Sequence, residues 1–267
     1  MKERSTKRHC LGGKPIMLTL MVQILVFSLT LYGAFGQSPI DPKEIIDRVD
    51  RILRGDSSRG VATMSISTKR WQRTKTLEIW SEGTDKALIR IQKPQKEAGL
   101  TTLKVGSDIW NYLPKVARTI RIPSSMMMAS WMGSHFSNDD LVKESRLISD
   151  YEIRVSFEGE KGGVDVWEFE LRPLPDAPVV WGRIDYQIRI ADLMPMWAKY
   201  YGEDGELKRT MLFSDFQEMG GRLILAKMTL TPTNKPGEFT EVVYSELEFD
   251  LELSEDTFSL ASLRRKR

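Results

Sequence analysis

The apolar residues of this chain alternate with polar ones over most of its length, and this pattern constrains the fold more than any other feature. Ala62, Met64 and Ile66 alternate with Thr63 and Ser65, and similar runs follow. Successive side chains of a strand point to opposite faces, so this period of two predicts half-buried β-strands. The later runs lie near 76–80, 87–92, 100–105, 108–113, 117–122, 151–158, 164–171, 181–190, 193–201, 207–216, 222–231 and 239–252.

Short turn-forming stretches separate these runs. They include Glu82-Gly83, residues 105–108, 159–163 and 202–205, Gly220-Gly221 and residues 234–237. Strands spaced this closely, with hardly any helix between them, are typical of antiparallel meanders. About a dozen antiparallel strands in one sheet must curl or close. We therefore predict a mainly β fold, a curved and incomplete antiparallel β-barrel. One face is dry, and helices, a loop or a ligand must fill its concave side.

One helix is predicted ahead of the strands, over residues 39–53. Asp41 can cap it, and Pro42 fits its first turn. Five apolar residues follow at helical spacing, and Gly55 ends the pattern. This stripe predicts packing against the sheet. The apolar positions are Ile45, Ile46, Val49, Ile52 and Leu53.

Residues 1–36 have the pattern of a cleaved secretory signal peptide. Basic side chains end at Lys14, an uncharged apolar stretch follows, and Ala34-Phe35-Gly36 places small residues before a cut at Gln37. The alternative is an uncleaved anchor helix, because the apolar stretch approaches membrane-spanning length. We expect cleavage, export by the general secretion route, a periplasmic location and a single domain over residues 37–267.

The charge of the remaining chain argues against nucleic-acid binding. Residues 1–36 contain five of the 39 basic and one of the 37 acidic side chains. The remaining chain therefore has 34 basic and 36 acidic side chains, a net charge of about −2. A nucleic-acid partner would require a concentrated basic face. The one cysteine, Cys10, also lies in the first 36 residues. No thiolate metal site, disulfide or lipidated cysteine is therefore expected.

The connection between Pro123 and Lys143 is unusually apolar for a loop. Methionine suits surfaces that adapt to varied apolar partners. Two interpretations remain open, a lid packed permanently into the sheet and a mobile lid over a lipid site. A short helix capped by Ser137, Asn138 or Asp139 is predicted after it. The apolar residues are Met126, Met127, Met128, Trp131, Met132 and Phe136.

Motifs for catalysis or metal binding are weak in residues 37–267. His135 is the only histidine there, and no GxSxG nucleophile elbow accompanies it. One histidine without cysteine, HExxH or regular aspartate spacing does not predict a metal site. We therefore expect neither an enzyme nor a cofactor.

Several short motifs together resemble the outer-membrane lipoprotein-sorting proteins of the LolA-like superfamily. The resemblance spans about residues 40–263, and His135 stands where the usual pattern has an aspartate. It rests on the order and spacing of the pieces. They are Lys93-Pro94, Gly99, residues 100–106, the run Trp110-x-Tyr112-x-Pro114, residues 118–122 and 132–141, and later 195–205, Gly221-Arg222 and 253–260.

The resemblance implies a LolA/LolB-like half-barrel covered by a few helices and a Met/Trp-rich loop, with a hydrophobic cavity between them. Such proteins carry lipid or lipoprotein acyl chains across the periplasm. It also implies an inner-membrane lipid or lipoprotein transporter as donor and an outer-membrane acceptor. The cargo stays open between lipoprotein, free lipid, glycolipid and hopanoid-like molecules. The alternative is a non-catalytic envelope-interaction or sensing module with a filled core.

On the carrier interpretation, the apolar side chains of several strands and of the Met/Trp connection line or cover the cavity. The candidate ligand-binding residues are Ile79, Ile89, Ile91, Trp110, Tyr112, Met126, Met127, Met128, Trp131, Met132, Phe136 and Trp197.

Overall fold

A computed structural model describes residues 41–143 and 146–265. The predicted signal peptide, residues 1–36, lies outside these ranges. The described chain forms one sheet of 13 strands. Their bounds are β1 Ser57–Ser67, β2 Gln72–Glu82, β3 Lys86–Lys93, β4 Thr101–Val105, β5 Asp108–Leu113, β6 Arg118–Arg121, β7 Tyr151–Lys161, β8 Val164–Pro173, β9 Arg183–Arg189, β10 Pro195–Tyr201, β11 Leu207–Met219, β12 Arg222–Pro232 and β13 Phe239–Phe249.

The sheet consists of two antiparallel meanders joined at the first and last strands. Its order is β6-β5-β4-β3-β2-β1-β13-β12-β11-β10-β9-β8-β7, so β6 and β7 are its free edges. The register shifts at several points, for example between Val61 and Ala62 and between Val155 and Phe157. Such bulges bend and twist a sheet. The predicted mainly β fold, a curved antiparallel sheet that does not close into a barrel, is confirmed.

Helix α1, Pro42–Arg54, has the predicted Asp41 cap and Gly55 end, and it begins three residues after the start of the predicted range 39–53. The Lys43 backbone N–H donates to the Asp41 carboxylate at 2.9 Å. Gly55 follows the helix with a φ of +66°, and its N–H donates to the Arg51 carbonyl at 2.9 Å. A positive φ is accessible to glycine at little cost, which explains the sharp end.

Two short helices, α2 (Asp140–Lys143) and α3 (Leu147–Asp150), lie between β6 and β7. Helix α1 contacts α3, β7 and β12, and it buries Ile45, Ile46 and Val49. Over the described ranges, the helices are all too short or too polar to cross a membrane.

The outer face of the sheet, opposite α1, is covered by the end of the chain. Residues 250–265, here called the C-terminal cover, form two 3₁₀ turns over β3, β4 and β5. The Arg90 guanidinium donates to the Ser262 carbonyl at 2.9 Å and fixes this segment. Beneath it, outer-face side chains pack with residues of the cover itself. The cluster consists of Trp80, Leu88, Leu103, Phe258 and Leu263, flanked by Trp110, Tyr112 and Leu253.

Candidate functional site

Residues 122–143 and 146–150, here called the bridging segment, lie between the two free edges of the sheet and cross its inner face. Trp131 packs on β1, β2 and β3. Farther along, His135 contacts Thr240 of β13, and Asp140 contacts Arg209 of β11. These contacts follow the order of the strands, and the segment then enters β7. The described part of the bridging segment therefore spans the concave side.

The Trp131 side chain anchors the start of the crossing. Only 5% of the residue is exposed, and its ring packs against a cluster that includes Met64, Leu77 and Ile91. The indole N–H donates to Thr102 Oγ1 at 3.2 Å. The buried indole nitrogen therefore has a hydrogen-bond partner. This arrangement is that of a packed core residue.

His135 connects the bridging segment to β13 through three polar contacts. Its backbone N–H donates to Thr240 Oγ1 at 3.0 Å, and Nδ1 lies 2.8 Å from the same oxygen. Nε2 lies 3.2 Å from Glu238 Oε2. The bond from His135, followed by one from the Lys69 backbone N–H, lowers the pKa of the Glu238 carboxyl.

The Thr240, His135 and Glu238 side chains have the order of a hydrolytic triad, but their setting does not suit catalysis. Thr240 is completely buried, so its hydroxyl has no approach for a substrate carbonyl. The same hydroxyl also accepts the His135 backbone N–H. We interpret the three groups as a structural connection. Over residues 41–143 and 146–265, no three His, Cys, Asp or Glu side chains cluster as metal ligands would.

The third anchor is an ion pair at the start of α2. The Ser137 hydroxyl accepts the Asp140 N–H at 3.2 Å, and the Ser137 N–H donates to the Asp140 carboxylate at 2.8 Å. This reciprocal cap confirms the helix start predicted near Ser137. The guanidinium of Arg209 then donates two bonds to the same carboxylate, at 2.6 and 2.7 Å.

Aromatic rings surround this ion pair. The Arg209 guanidinium lies 4.4 Å from the Trp181 ring centroid and 4.3 Å from that of Tyr200. Nearby, burial raises the pKa of the Tyr151 hydroxyl well above its ordinary value. Stacking of a guanidinium on aromatic faces adds to the bidentate bond. The pair therefore holds the bridging segment over β10 and β11.

A cavity of about 370 Å³ remains between the inner face of the sheet, α1 and the bridging segment. Apolar side chains from both meanders form most of its wall. They are Ile46, Val49, Leu53, Leu77, Ile79, Ala87, Ile89, Trp131, Phe136, Leu141, Leu147, Ile184, Tyr186, Ala198, Tyr200, Phe213, Ile224, Leu225, Met228, Val242, Tyr244 and Leu247.

Some of the residues proposed from the sequence lie at this cavity. Ile79, Ile89, Trp131 and Phe136 line it. Ile91 and Met132 belong to the adjoining core around Trp131. The structure therefore brings six of the twelve together at or beside the cavity.

The other six lie elsewhere. Trp110 and Tyr112 pack under the C-terminal cover on the outer face. Trp197 is also on the outer face, 4.4 Å from Lys199 Nζ, whereas its neighbour Ala198 lines the cavity. A one-residue error in the assignment of faces has this result.

The methionine run of the bridging segment is also outside the cavity wall. Met126 and Met128 are 48% and 53% exposed, and Met127 is half-buried. Polar bonds account for their position, because the backbone carbonyls of Met126 and Met127 accept from the Asn138 side-chain amide and the Asp139 N–H. The apolar composition of the run correctly indicated contact with the sheet only from Trp131 onward.

The sequence reasoning missed the lining from the second meander, such as Ile184, Ala198 and Phe213, and the contribution of α1. The alternation of these strands can be seen in the sequence. The pairing of β1 with β13, which brings the two meanders around one cavity, cannot be seen there.

A family model described as "Uncharacterized protein" matches residues 83–265, which is more than half of the chain. Among curated proteins, no match was found.

Solved structures similar to this chain share its fold. A DUF1329 family protein from Desulfovibrio piger has a TM-score of 0.76 at 24% identity, over 84% of this chain and 100% of that one. A domain from Vibrio parahaemolyticus, assigned as an outer membrane lipoprotein-sorting protein domain, has a TM-score of 0.73 at 25% identity, over 84% and 98%. A LolA superfamily protein from Nitrosomonas europaea has a TM-score of 0.70 at 19% identity, over 84% and 99%.

Proposed function

Since this chain belongs to the family whose model matches residues 83–265, and since its fold is LolA-like, we propose that it is a periplasmic carrier of lipid or lipoprotein acyl chains. The observation that carries the proposal is the cavity of about 370 Å³ with its largely apolar wall. Small-molecule sites typically measure about 300–1,000 Å³ and are mostly apolar. The cavity has the size and the chemistry for an acyl chain.

The binding free energy would come from removal of the chain from water. Each 100 Å² of apolar surface buried gains about 2.5 kcal/mol, at about 25 cal/mol per Å². A chain in this cavity would therefore be held without specific recognition along its length. Such a site shields the cargo during passage through an aqueous compartment and allows release when another site offers equal burial.

Two features favour this proposal over an interaction module with a filled core. The side chains of α1 and of the bridging segment, although they cover the inner face, leave the cavity between them. The outer face of the same strands is filled by the C-terminal cover instead. A protein that only needed a closed core would gain stability by filling both sides.

The proposal also includes the route. Export by the signal peptide over residues 1–36 would place the chain between two membranes, with an inner-membrane lipid or lipoprotein transporter as donor and an outer-membrane acceptor. The similar Vibrio parahaemolyticus domain, at 25% identity, is assigned to lipoprotein sorting and supports cargo of this kind. In this role the protein acts by binding and release, without chemical change of the cargo.

Native mass spectrometry of the exported protein, purified without detergent, tests the proposal. We expect a fraction of the molecules to carry the mass of an acyl lipid, released when the protein unfolds. The protein should also take up lipid from vesicles after the bound molecule is removed. Protein that carries no lipid mass and takes up none would contradict the carrier function.

A further inference from the structure

One end of the cavity is polar, whereas most of the rest of its wall is apolar. Lys104, Arg54 and Thr84 line this end together with Ser58 and Ser81. The hydroxyls of the two serines lie 2.7 Å apart and are hydrogen bonded. An apolar cavity with one polar end has the layout that an amphiphile requires.

Two hydrogen bonds show that these groups belong to one place. The Lys104 ammonium donates to the Thr84 carbonyl at 2.6 Å, which fixes the lysine beside the β2–β3 turn. The Gly83 N–H of the same turn donates to the Asp56 carbonyl at 2.8 Å, just after the end of α1. Arg54, in the last turn of α1, is therefore close to the same turn.

Lys104 is an unusual residue for an inner face. It alternates with Leu103, which packs on the outer face, and only 6% of it is exposed. Burial of an ammonium group is costly, and the hydrogen bond to the Thr84 carbonyl offsets part of that cost. In such surroundings, of lower dielectric than water, a cation attracts an anion more strongly than it does at the surface.

The charges along the cavity wall concentrate this attraction at Lys104 and Arg54. Arg54 forms an ion pair with Asp50 on the preceding turn of the helix. The charged side chains of the described cavity wall are those of Arg54, Lys86 and Lys104 and the carboxylates of Asp50 and Asp140, and Asp140 binds Arg209. Lys86 also lines the cavity, and it binds Glu82 at 2.5 Å and lies 5.8 Å from the Phe258 ring.

We propose that this polar end binds the anionic headgroup of a single-chain amphiphile, either a carboxylate or a phosphate monoester. Lys104 and Arg54 hold the anion, the Ser58 and Ser81 hydroxyls donate further bonds, and the acyl chain extends along the apolar wall toward Trp131. A cavity near the lower end of the usual size range suits one chain. This inference rests on the proposed carrier function and specifies its ligand class.

Calorimetric titration with dodecanoate, dodecyl phosphate and dodecanol, below the concentrations at which they form micelles, separates the headgroup from the chain. We expect both anions to bind at least about tenfold more tightly than the alcohol, a difference of about 1.4 kcal/mol. Acetate and inorganic phosphate carry the anion without the chain, and we expect them to bind far more weakly than either amphiphile.

Substitutions at Lys104 test the role of its charge. Lys104→Met keeps the length of the side chain and should reduce the preference for the anions to less than about threefold, whereas Lys104→Arg should retain it. Lys199→Met is the matched control, because Lys199 lies on the outer face beside Trp197. If Lys104→Met fails to fold, the relative affinities of the unaltered protein and of Arg54→Gln for the anions and for dodecanol decide whether this end binds an anionic headgroup.

The outcomes distinguish this inference from the carrier function. Equal affinity of the unaltered protein for dodecanol and dodecanoate would overturn the headgroup assignment and leave the carrier function standing. An undiminished anion preference in Lys104→Met would also overturn it. Acetate or phosphate binding as tightly as the amphiphiles would replace it by a simple anion site. If none of the amphiphiles binds, the inference and the carrier function both fail.

Discussion

The two faces of strands β2, β3 and β4 are covered in different ways. On the outer face, Leu103 and Leu88 pack with Phe258 and Leu263 of the C-terminal cover into a dense apolar cluster. On the inner face, α1 and the bridging segment cover the sheet and still leave about 370 Å³. Alternate residues of the same strands thus enter a filled core on one side and a cavity wall on the other.

The attachments of the two covers combine packing with polar bonds. The C-terminal cover is held by apolar packing over β3, β4 and β5, by the bond from Arg90 to Ser262, and by polar bonds at its start, where Asp250 and Leu251 bond to Asp56, Ser57 and Arg222. The bridging segment is held by Trp131 and then by polar anchors at His135 and at Asp140. Polar anchors position a segment without filling the space beneath it. Both covers have polar attachments, but the apolar side chains of the C-terminal cover fill the space over β3, β4 and β5, whereas the bridging segment leaves a cavity in the concave side.

The largest effect is expected at the ion pair that anchors the bridging segment. Asp140→Ala leaves the buried Arg209 guanidinium without its carboxylate, and breaking a buried pair costs about 3–5 kcal/mol. Urea unfolding of the variant should show this loss. The double variant Asp140→Ala/Arg209→Leu should recover part of it, because the isolated charge is removed. A loss below about 1 kcal/mol for Asp140→Ala would mean that this ion pair contributes little to holding the segment.

A slightly smaller effect is expected in the filled outer core. Leu103→Ala removes a side chain that is 1% exposed and should lower the free energy of unfolding by about 2–5 kcal/mol. Lipid affinity, measured under conditions in which the variant is folded, should be unchanged because Leu103 faces away from the cavity. A specific loss of lipid binding in this variant would contradict the separation of the two faces.

The matched change on the cavity wall should cost less. Ile79→Ala truncates a half-buried side chain that already borders open space, so we expect a loss of about 1–2 kcal/mol in urea unfolding. Its effect on acyl-chain binding should exceed that of Leu103→Ala, since Ile79 lies on the wall. Equal binding by both variants, together with equal stability losses, would argue that the two faces are alike.

The smallest effect is expected at the exposed methionines. Met126→Ser and Met128→Ser should each change the free energy of unfolding by less than about 0.5 kcal/mol, as surface substitutions usually do. Met132→Ser provides the contrast, because Met132 packs against the core around Trp131 and should cost more. Thermal unfolding of the three variants, side by side, measures the difference. A large loss at Met126 or Met128 would show that the run packs more deeply than the structure indicates.

The strands and α1 could be predicted from the sequence because their signals are local. The period of two identified each strand, and the Asp41 cap with Gly55 bounded the helix. The bounds of β2 were the main difference, since the strand covers Gln72–Glu82 whereas the predicted run is 76–80, and β11 continues to Met219 beyond the predicted 216. Residues 72–75 are all polar, so no alternation marks the start of β2.

The cavity wall was harder to predict because it depends on non-local information. Trp110 and Tyr112 are apolar strand residues like Ile79 and Ile89, and only the C-terminal cover shows that their face is the outer one. A period of two shows that a strand has two faces without assigning either face to a cavity. Lys104 was not singled out for a related reason: a lysine on a strand ordinarily indicates a solvated face.

The central claim, that the cavity is where acyl chains bind, is tested most directly by filling it. Ala198 lines the cavity, whereas the next residue, Lys199, lies on the outer face. Titration of a fluorescent fatty acid into the unaltered protein, Ala198→Phe and Lys199→Phe compares the two sides of one strand. We expect Ala198→Phe to weaken binding by at least about tenfold, or about 1.4 kcal/mol, with cooperative unfolding retained and Lys199→Phe binding normally. Normal binding by a folded Ala198→Phe variant would contradict the account.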